Sequence, residues 1–258
     1  MSRLVAVTRE VSPTINECEL SFVAREPIDV DRAVAQHRAY CDLLSELGAR
    51  VVVIPPDPSL PDAVFVEDTA VVVEGGAVVT LPGAESRRPE TVAVADVLRR
   101  HMPVEFMTGP GTLDGGDVMH VGRTLYVGRT ARTDDEGAAE LRRLLAPHGY
   151  EVRQVGVHGC LHFKSGCSYL GRGTVLANRE WIDAGELTDV EILDVPPTEP
   201  WGANTVVVGE TVVVSGAYPE TARLLESRGF AVRTLDVAEF HKAEGGLSCL
   251  SILVGART

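Results

Sequence analysis

Asp68, Asp114, His162, Asn204 and Cys249 follow one another along the chain at intervals of 46, 48, 42 and 45 residues. These residue types combine into recognisable chemistry if something brings them together. Cys249 lies in Glu244-Gly-Gly-Leu-Ser-Cys249-Leu-Ser-Ile-Leu-Val254, where glycines allow a tight approach at a strand entrance. As a thiolate it would be a nucleophile. His162, in Gly159-Cys-Leu-His162-Phe-Lys-Ser165, would supply or remove protons, because its ordinary pKa is nearest neutrality. Asp114, in Leu113-Asp114-Gly-Gly-Asp117, would orient the imidazole as the third member of a triad. Glu67 and Asp68 would hold a planar cation with forked N–H donors, and Glu244 could join them. Arg87, Arg88 and Arg132 are candidates for a substrate carboxylate.

Taken singly, each of these signals has a plainer reading. A cysteine in an apolar run is more often a small buried hydrophobe, and Leu-Asp-Gly-Gly-Asp alone reads as a tight turn. Asn204 reads as a turn former. Cys160 and Cys167 flank His162 without metal-ligand spacing, so no metal is assigned. The catalytic reading rests on convergence at one repeated position.

The elements predicted around these residues repeat as strand, strand, helix, strand. One unit has strands at Val64–Val73 and Ala77–Leu81, a helix at Pro89–His101 and a strand at Val104–Met107. The next has Asp117–Val121, Thr124–Val127, a helix Asp134–His148 and Glu151–Val157. A third has His162–Tyr169, Thr174–Ala177, a weak helix near Ala184 and Val190–Val195. The fourth has Thr205–Val208, Thr211–Ser215, a helix Pro219–Gly229 and Ala231–Leu235. The fifth is split: Ser248–Val254 from the end pairs with Leu4–Thr8, completed by a helix at Asp29–Gly48 and a strand at Arg50–Ile54. A repeat shared between the termini is what a closed ring needs, because joining first to last removes open edges. The predicted fold is therefore α/β, a five-bladed ββαβ propeller over residues 1–258 as one domain. An ordinary open sheet is disfavoured by the hairpin before each helix. In a closed ring the five repeated positions face one axis.

The 258 residues, 45% hydrophobic and 24% charged, support a substantial core. The net charge of −13 disfavours nucleic acid and suits a cationic small molecule. The N-terminal stretch lacks the apolar core of a signal peptide, and no run approaches the ~20 apolar residues of a membrane span. Five cysteines without a CxxC pair read as reduced thiols, hence a cytoplasmic protein without a disulfide framework. For oligomeric state only the base rate speaks, and it favours a homodimer.

The stretches Asp62-Ala-Val-Phe65-Val-Glu67-Asp68, Pro82-Gly-Ala-Glu-Ser-Arg87-Arg88, Leu113-Asp114-Gly-Gly-Asp117-Val, Leu161-His162-Phe-Lys164-Ser165 and Gly245-Gly-Leu-Ser-Cys249 occur in that order. Together they resemble the dimethylarginine dimethylaminohydrolase (dimethylargininase) family of the pentein, or guanidino-group modifying, superfamily. The resemblance implies the same five-bladed fold, no cofactor, and hydrolysis of Nω-methylated arginine to citrulline and a methylamine. It implies Cys249 as nucleophile through a covalent amidino-thioether, His162 as proton carrier and Asp114 as the orienting acid. It also implies Asp62, Glu67, Asp68 and Glu244 near the substrate's guanidinium or amino group, with Phe65 among the substrate-binding residues. Arg87 and Arg132 would clamp its carboxylate, and the loop around Leu20 would form a mobile lid. A guanidinium beside Cys249 would itself favour the thiolate, so the free enzyme need not hold a low thiol pKa.

Some positions depart from the family pattern. Asp114 is Glu in some relatives, Glu244 stands where Asp is familiar, and Ala63 and Gly166 replace larger residues. The Glu244 change keeps a related guanidino or ureido hydrolase open as an alternative, arginine deiminase-like or acting on citrulline. A non-catalytic ring that binds a small ligand is the third reading; a joint thiol, base and acid argues against it.

Overall fold

The computed structural model describes residues 4–255; the ends of the expected domain span, 1–3 and 256–258, lie outside the described residues. Along the chain come β1 (Val5–Arg9), α1 (Val30–Glu46) and β2 (Arg50–Ile54). Then follow β3 (Ala70–Val73), β4 (Gly76–Val79), α2 (Thr91–Leu98) and β5 (Val104–Phe106). The next blade is β6 (Val118–Val121), β7 (Thr124–Arg129), α3 (Asp135–Leu145) and β8 (Glu151–Gly156). After a single helical turn α4 (Phe163–Gly166) come β9 (Cys167–Gly171), β10 (Thr174–Ala177) and β11 (Glu191–Asp194), with only a 3₁₀ turn, Ala184–Glu186, where a weak helix was expected. The chain ends with β12 (Val206–Val208), β13 (Thr211–Ser215), α5 (Pro219–Ser227), β14 (Ala231–Leu235), the short α6 (Ala238–His241) and β15 (Ile252–Val254).

Five three-stranded sheets result, each an antiparallel pair with a parallel third strand. The split fifth unit obeys the same rule. β15 pairs antiparallel with β1, Val5 opposite Val254, and β1 pairs parallel with β2. Valine-rich runs such as Val51–Ile54 and Ala70–Val73 suit these pleated, half-buried surfaces. The longer helices begin where an aspartate accepts a first-turn N–H: Asp29 from Arg32 on α1, and Asp134 from Gly137 on α3.

Ring closure is visible in the core, whose five apolar clusters each join two neighbouring blades. Val71, Val78, Leu125 and Val127 join the β3–β5 blade to the β6–β8 blade, with Leu141 and Leu145 of α3 above them. Tyr126 and Val175 make the next seam, and Leu176 with Val212 the one after. Val213 and Ala6 then join the β12–β14 blade to the split one, and Val7 with Ala77 returns the ring to β3–β5. The predicted propeller is the observed architecture.

The strand entrances differ from the prediction. One helical turn precedes the first strand of every blade: 66–69, 115–117, 163–166, 200–203 and 248–250. The first strands therefore start later than expected, at Ala70, Val118, Cys167, Val206 and Ile252. Every polar residue of the repeated series lies in one of these turns or directly beside it.

Candidate active site

The turn holding Glu67 and Asp68 packs against those at 115–117 and 248–250, and side chains converge there. His162 Nε2 lies 2.9 Å from Asp114 Oδ2, and His162 Nδ1 lies 3.7 Å from Asp68 Oδ1. Each acid is fixed in turn. Asp114 accepts from the Gly83 amide at 2.9 Å; Asp68 accepts from the Gly116 amide at 3.0 Å and from Arg87 Nη1 at 2.6 Å. Gly116 is needed for this geometry, since a Cβ there would collide with both Asp68 and the His162 ring. Asp117, at the end of the Leu113–Asp117 motif, accepts from the Phe163 amide and from the hydroxyls of Thr130 and Thr133. It pins the start of α4 and so the position of His162.

Burial alone would lower the His162 pKa, but the charges of Asp68, Asp117 and Asp114 raise it to about 9. His162 is therefore an imidazolium at neutral pH. Asp68, although buried, is held down to about 2 by His162 and Arg87. Cys249 goes the other way. Its burial and the carboxylates of Glu67 and Asp68 push the thiol up to about 12, against the Gly246 N–H, 3.4 Å from Sγ, and Lys164. The resting pair is thus a neutral thiol and a charged histidine.

A cavity of about 20 Å³ is lined by Asp62, Phe65, Asp68, Arg87, Arg132, His162, Glu244 and Cys249, among others. A larger hollow of about 110 Å³ adjoins it across Glu244 and Gly245 and contains Trp201, Tyr218 and His241. Cys249 and His162 both line the smaller one. Gly245 is packed so closely on the Phe65 ring that a Cβ would overlap it. Leu20 packs against the apolar cluster that includes Phe65 and Cys249.

Not every expected residue stands free. Glu67 is bound by Lys164 Nζ at 2.7 Å and by the Ser248 hydroxyl at 2.7 Å. Arg87 is buried and bridges Asp68 and Glu90, with Nη2 also on the carbonyls of Asp62 and Phe65. Of five guanidinium N–H donors, this leaves about one at Nη1 for anything else. Arg132 is the contrast: its Nη1 is buried with no hydrogen-bond partner. Asp62 accepts the Glu19 amide on both oxygens, at 3.3 and 3.2 Å, and burial raises its pKa. Glu244 Oε1 accepts from the amides of Ser21, Phe22 and Val23. Asn204 does more than form a turn, bonding the Lys164 carbonyl at 2.9 Å and Ser248 Oγ at 3.0 Å.

Lys164, Ser248, Glu90 and Glu19 were missed as site residues. Lys164 and Ser248 stood inside the singled-out motifs, so adjacency to His162 and Cys249 was the available signal. For Glu90 the three-residue spacing from Arg87 was the signal, and for Glu19 its place beside Leu20 in the expected lid. As for metals, Asp68, Asp114 and His162 place ligand atoms within 4.8 Å of one another, the one such group among the described residues. Arg87 and His162 already supply positive charge to these acids.

A family profile described as N,N dimethylarginine dimethylhydrolase, eukaryotic, matches residues 6–170. The N(G),N(G)-dimethylarginine dimethylaminohydrolase of Streptomyces coelicolor is 39% identical over 249 residues, covering 96% of this chain and 95% of that protein. The enzyme of the same name from Pseudomonas aeruginosa is 37% identical over 226 residues, 87% of this chain and 89% of that one. A solved structure of the Pseudomonas aeruginosa protein, a cysteine-to-serine variant complexed with citrulline, superposes with a TM-score of 0.93 at 33% identity, covering 98% of this chain and all of that one. With this fold, this order of motifs and this extent of identity, the chain belongs to the dimethylarginine dimethylaminohydrolase family.

Proposed function

We propose that this protein hydrolyses the guanidinium of Nω-methylated arginine, giving citrulline and methylamine or dimethylamine through a covalent Cys249 intermediate. The observation that carries the reading is a buried thiol sharing one cavity with an imidazolium clamped between two carboxylates. The citrulline held by the Pseudomonas aeruginosa relative is the product this reaction would give.

The resting charges suggest the order of events. A guanidinium entering beside Cys249 brings a positive charge against a thiol that burial and nearby carboxylates hold protonated. That charge favours the thiolate, and the thiol proton leaves to solvent. Asp68 and Asp62 face the planar cation. The thiolate adds to the guanidinium carbon, and His162, charged below about pH 9, gives its proton to the methylated nitrogen as the C–N bond breaks. The amine departs and an amidino-thioether remains. Neutral His162 then takes a proton from water as the oxygen adds to the same carbon; the C–S bond breaks and citrulline is released. Asp114 keeps the ring oriented through both halves. Arg132, with its unpaired Nη1, is the better candidate for the substrate carboxylate, and Arg87 lends at most its remaining N–H.

We take the chain to act as one domain. Its five cysteines stand as free thiols, which suits a reducing, cytoplasmic setting. No helix among the described residues is long and apolar enough to cross a membrane. A homodimer is a further part of the reading, checked by light scattering. The test of function is citrulline release from dimethylarginine, monomethylarginine, arginine and agmatine, with Cys249→Ser as control. Release from the methylated arginines, lost in the control, is expected. Preference for arginine would move the assignment toward a deiminase, and ligand binding without release from any guanidine would sink it.

A further inference from the structure

The reaction cavity has room for about one water molecule. An arginine derivative is far larger, so the lining has to yield for substrate to enter, and Glu19 brings the segment from Cys18 to Arg25 into that lining. Two carboxylates fasten that segment. Asp62 receives the Glu19 amide. Glu244 Oε1 receives three consecutive amides, Ser21 at 2.9 Å, Phe22, and Val23 at 2.7 Å. Successive N–H groups aimed at one point form an anion-binding concavity, and a carboxylate fills it well.

Glu244 is nevertheless an incomplete fastener. Its φ of 57° is in the left-handed region, uncommon for a residue with a long side chain. Its other oxygen, Oε2, is buried with no hydrogen-bond partner, although an ionised carboxylate accepts at both oxygens. The same residue lines the reaction cavity. The closed lid is therefore left one partner short, beside the space a cation would enter.

Building on the proposed function, we infer that Glu244 is a positioning residue that couples lid closure to capture of a cationic substrate. One oxygen latches the amides of residues 21–23, and the other is kept for a positively charged group of the substrate. A cation near Oε2 removes the cost of its unpaired burial, so it stabilises the closed lid; by linkage, the closed lid tightens binding of the cation by the same factor. The added methylene relative to Asp has a purpose on this reading. It lets one carboxylate reach the lid from the cavity wall.

The test separates reach from charge. Hydrogen exchange at residues 18–25 is measured in the full-length Cys249→Ser protein, free and with dimethylarginine, and again with Glu244→Asp or Glu244→Gln added. Glu244→Asp keeps charge and loses reach, so amides 21–23 should exchange about tenfold faster in the free protein. Glu244→Gln keeps reach and loses charge. Its free lid should loosen less, but dimethylarginine should no longer slow exchange there. With Cys249 restored, Glu244→Gln should raise KM about tenfold and lower kcat by a smaller factor. Lid exchange in both variants matching the parent, free and bound, would overturn the inference, as would an unaltered KM in Glu244→Gln. If the native protein releases no citrulline, the functional reading falls, while exchange in the free protein still decides the latch.

Discussion

Around His162 the charged groups have found internal partners: Asp114 holds the imidazole, Asp68 is shared with Arg87, and Arg87 is closed off by Glu90. Across the cavity, the segment from Cys18 to Arg25 is largely exposed, and it is held by backbone amides on Asp62 and on a carboxylate with one oxygen unmatched. The first region is a fixed electrostatic frame, suited to stabilising charge without reorganising. The second can open. The difference teaches where a substitution should damage chemistry, where stability, and where access.

The largest effect belongs to Cys249, the proposed nucleophile. Cys249→Ser should lower citrulline release by about 10⁴-fold or more in a steady-state assay. Asp114→Asn should follow, losing between about 10² and 10⁴ in kcat while the ring stays folded, because it removes the acid that orients the His162 ring. A loss under threefold would mean that Asp68 alone suffices.

The two arginines sharpen the comparison further. Arg87→Ala leaves Asp68 and Glu90 buried without their shared cation, and should destabilise the fold by about 3–5 kcal/mol in chemical denaturation. Arg132→Ala should cost about 1 kcal/mol or less and appear mainly as a raised KM. Equal loss of stability in both would contradict the contrast between Arg87, tied into the frame, and Arg132, which is not.

A further difference is in pH dependence. The His162 pKa is raised from 6.5 to about 9, so its contribution to stability is full below about 6.5 and is lost as pH rises through about 9. His162→Asn should therefore flatten the decline of stability over that window, measured by denaturation at several pH values. Ultraviolet titration of the Cys249 thiolate is the matching probe. In the free protein the signal should be absent near neutrality, and a bound guanidinium should shift its midpoint downward.

The ring itself was legible in the sequence because each blade repeats the same apolar periods, and because Leu4–Thr8 lacks a local hairpin partner until Ser248–Val254 is joined to it. The repeated interval also pointed to Asp68, Asp114, His162 and Cys249 on one axis. The single turns before the first strands were not legible, since a three- or four-residue turn carries no hydrophobic period. Nor was the commitment of Arg87, a candidate for the substrate carboxylate in the sequence: only the packed fold buries it against Asp68. Glu244 is the extreme case. It meets Ser21 across 223 residues of sequence, a contact set wholly by ring closure.

The most direct test of the account is intact-protein and peptide mass spectrometry of the enzyme quenched in acid during turnover of dimethylarginine. The account predicts a mass increase equal to the substrate less dimethylamine, confined to the peptide bearing Cys249 and absent from Cys249→Ser. Citrulline formed at full rate by His162→Gly, or an adduct on any cysteine other than Cys249, would contradict it.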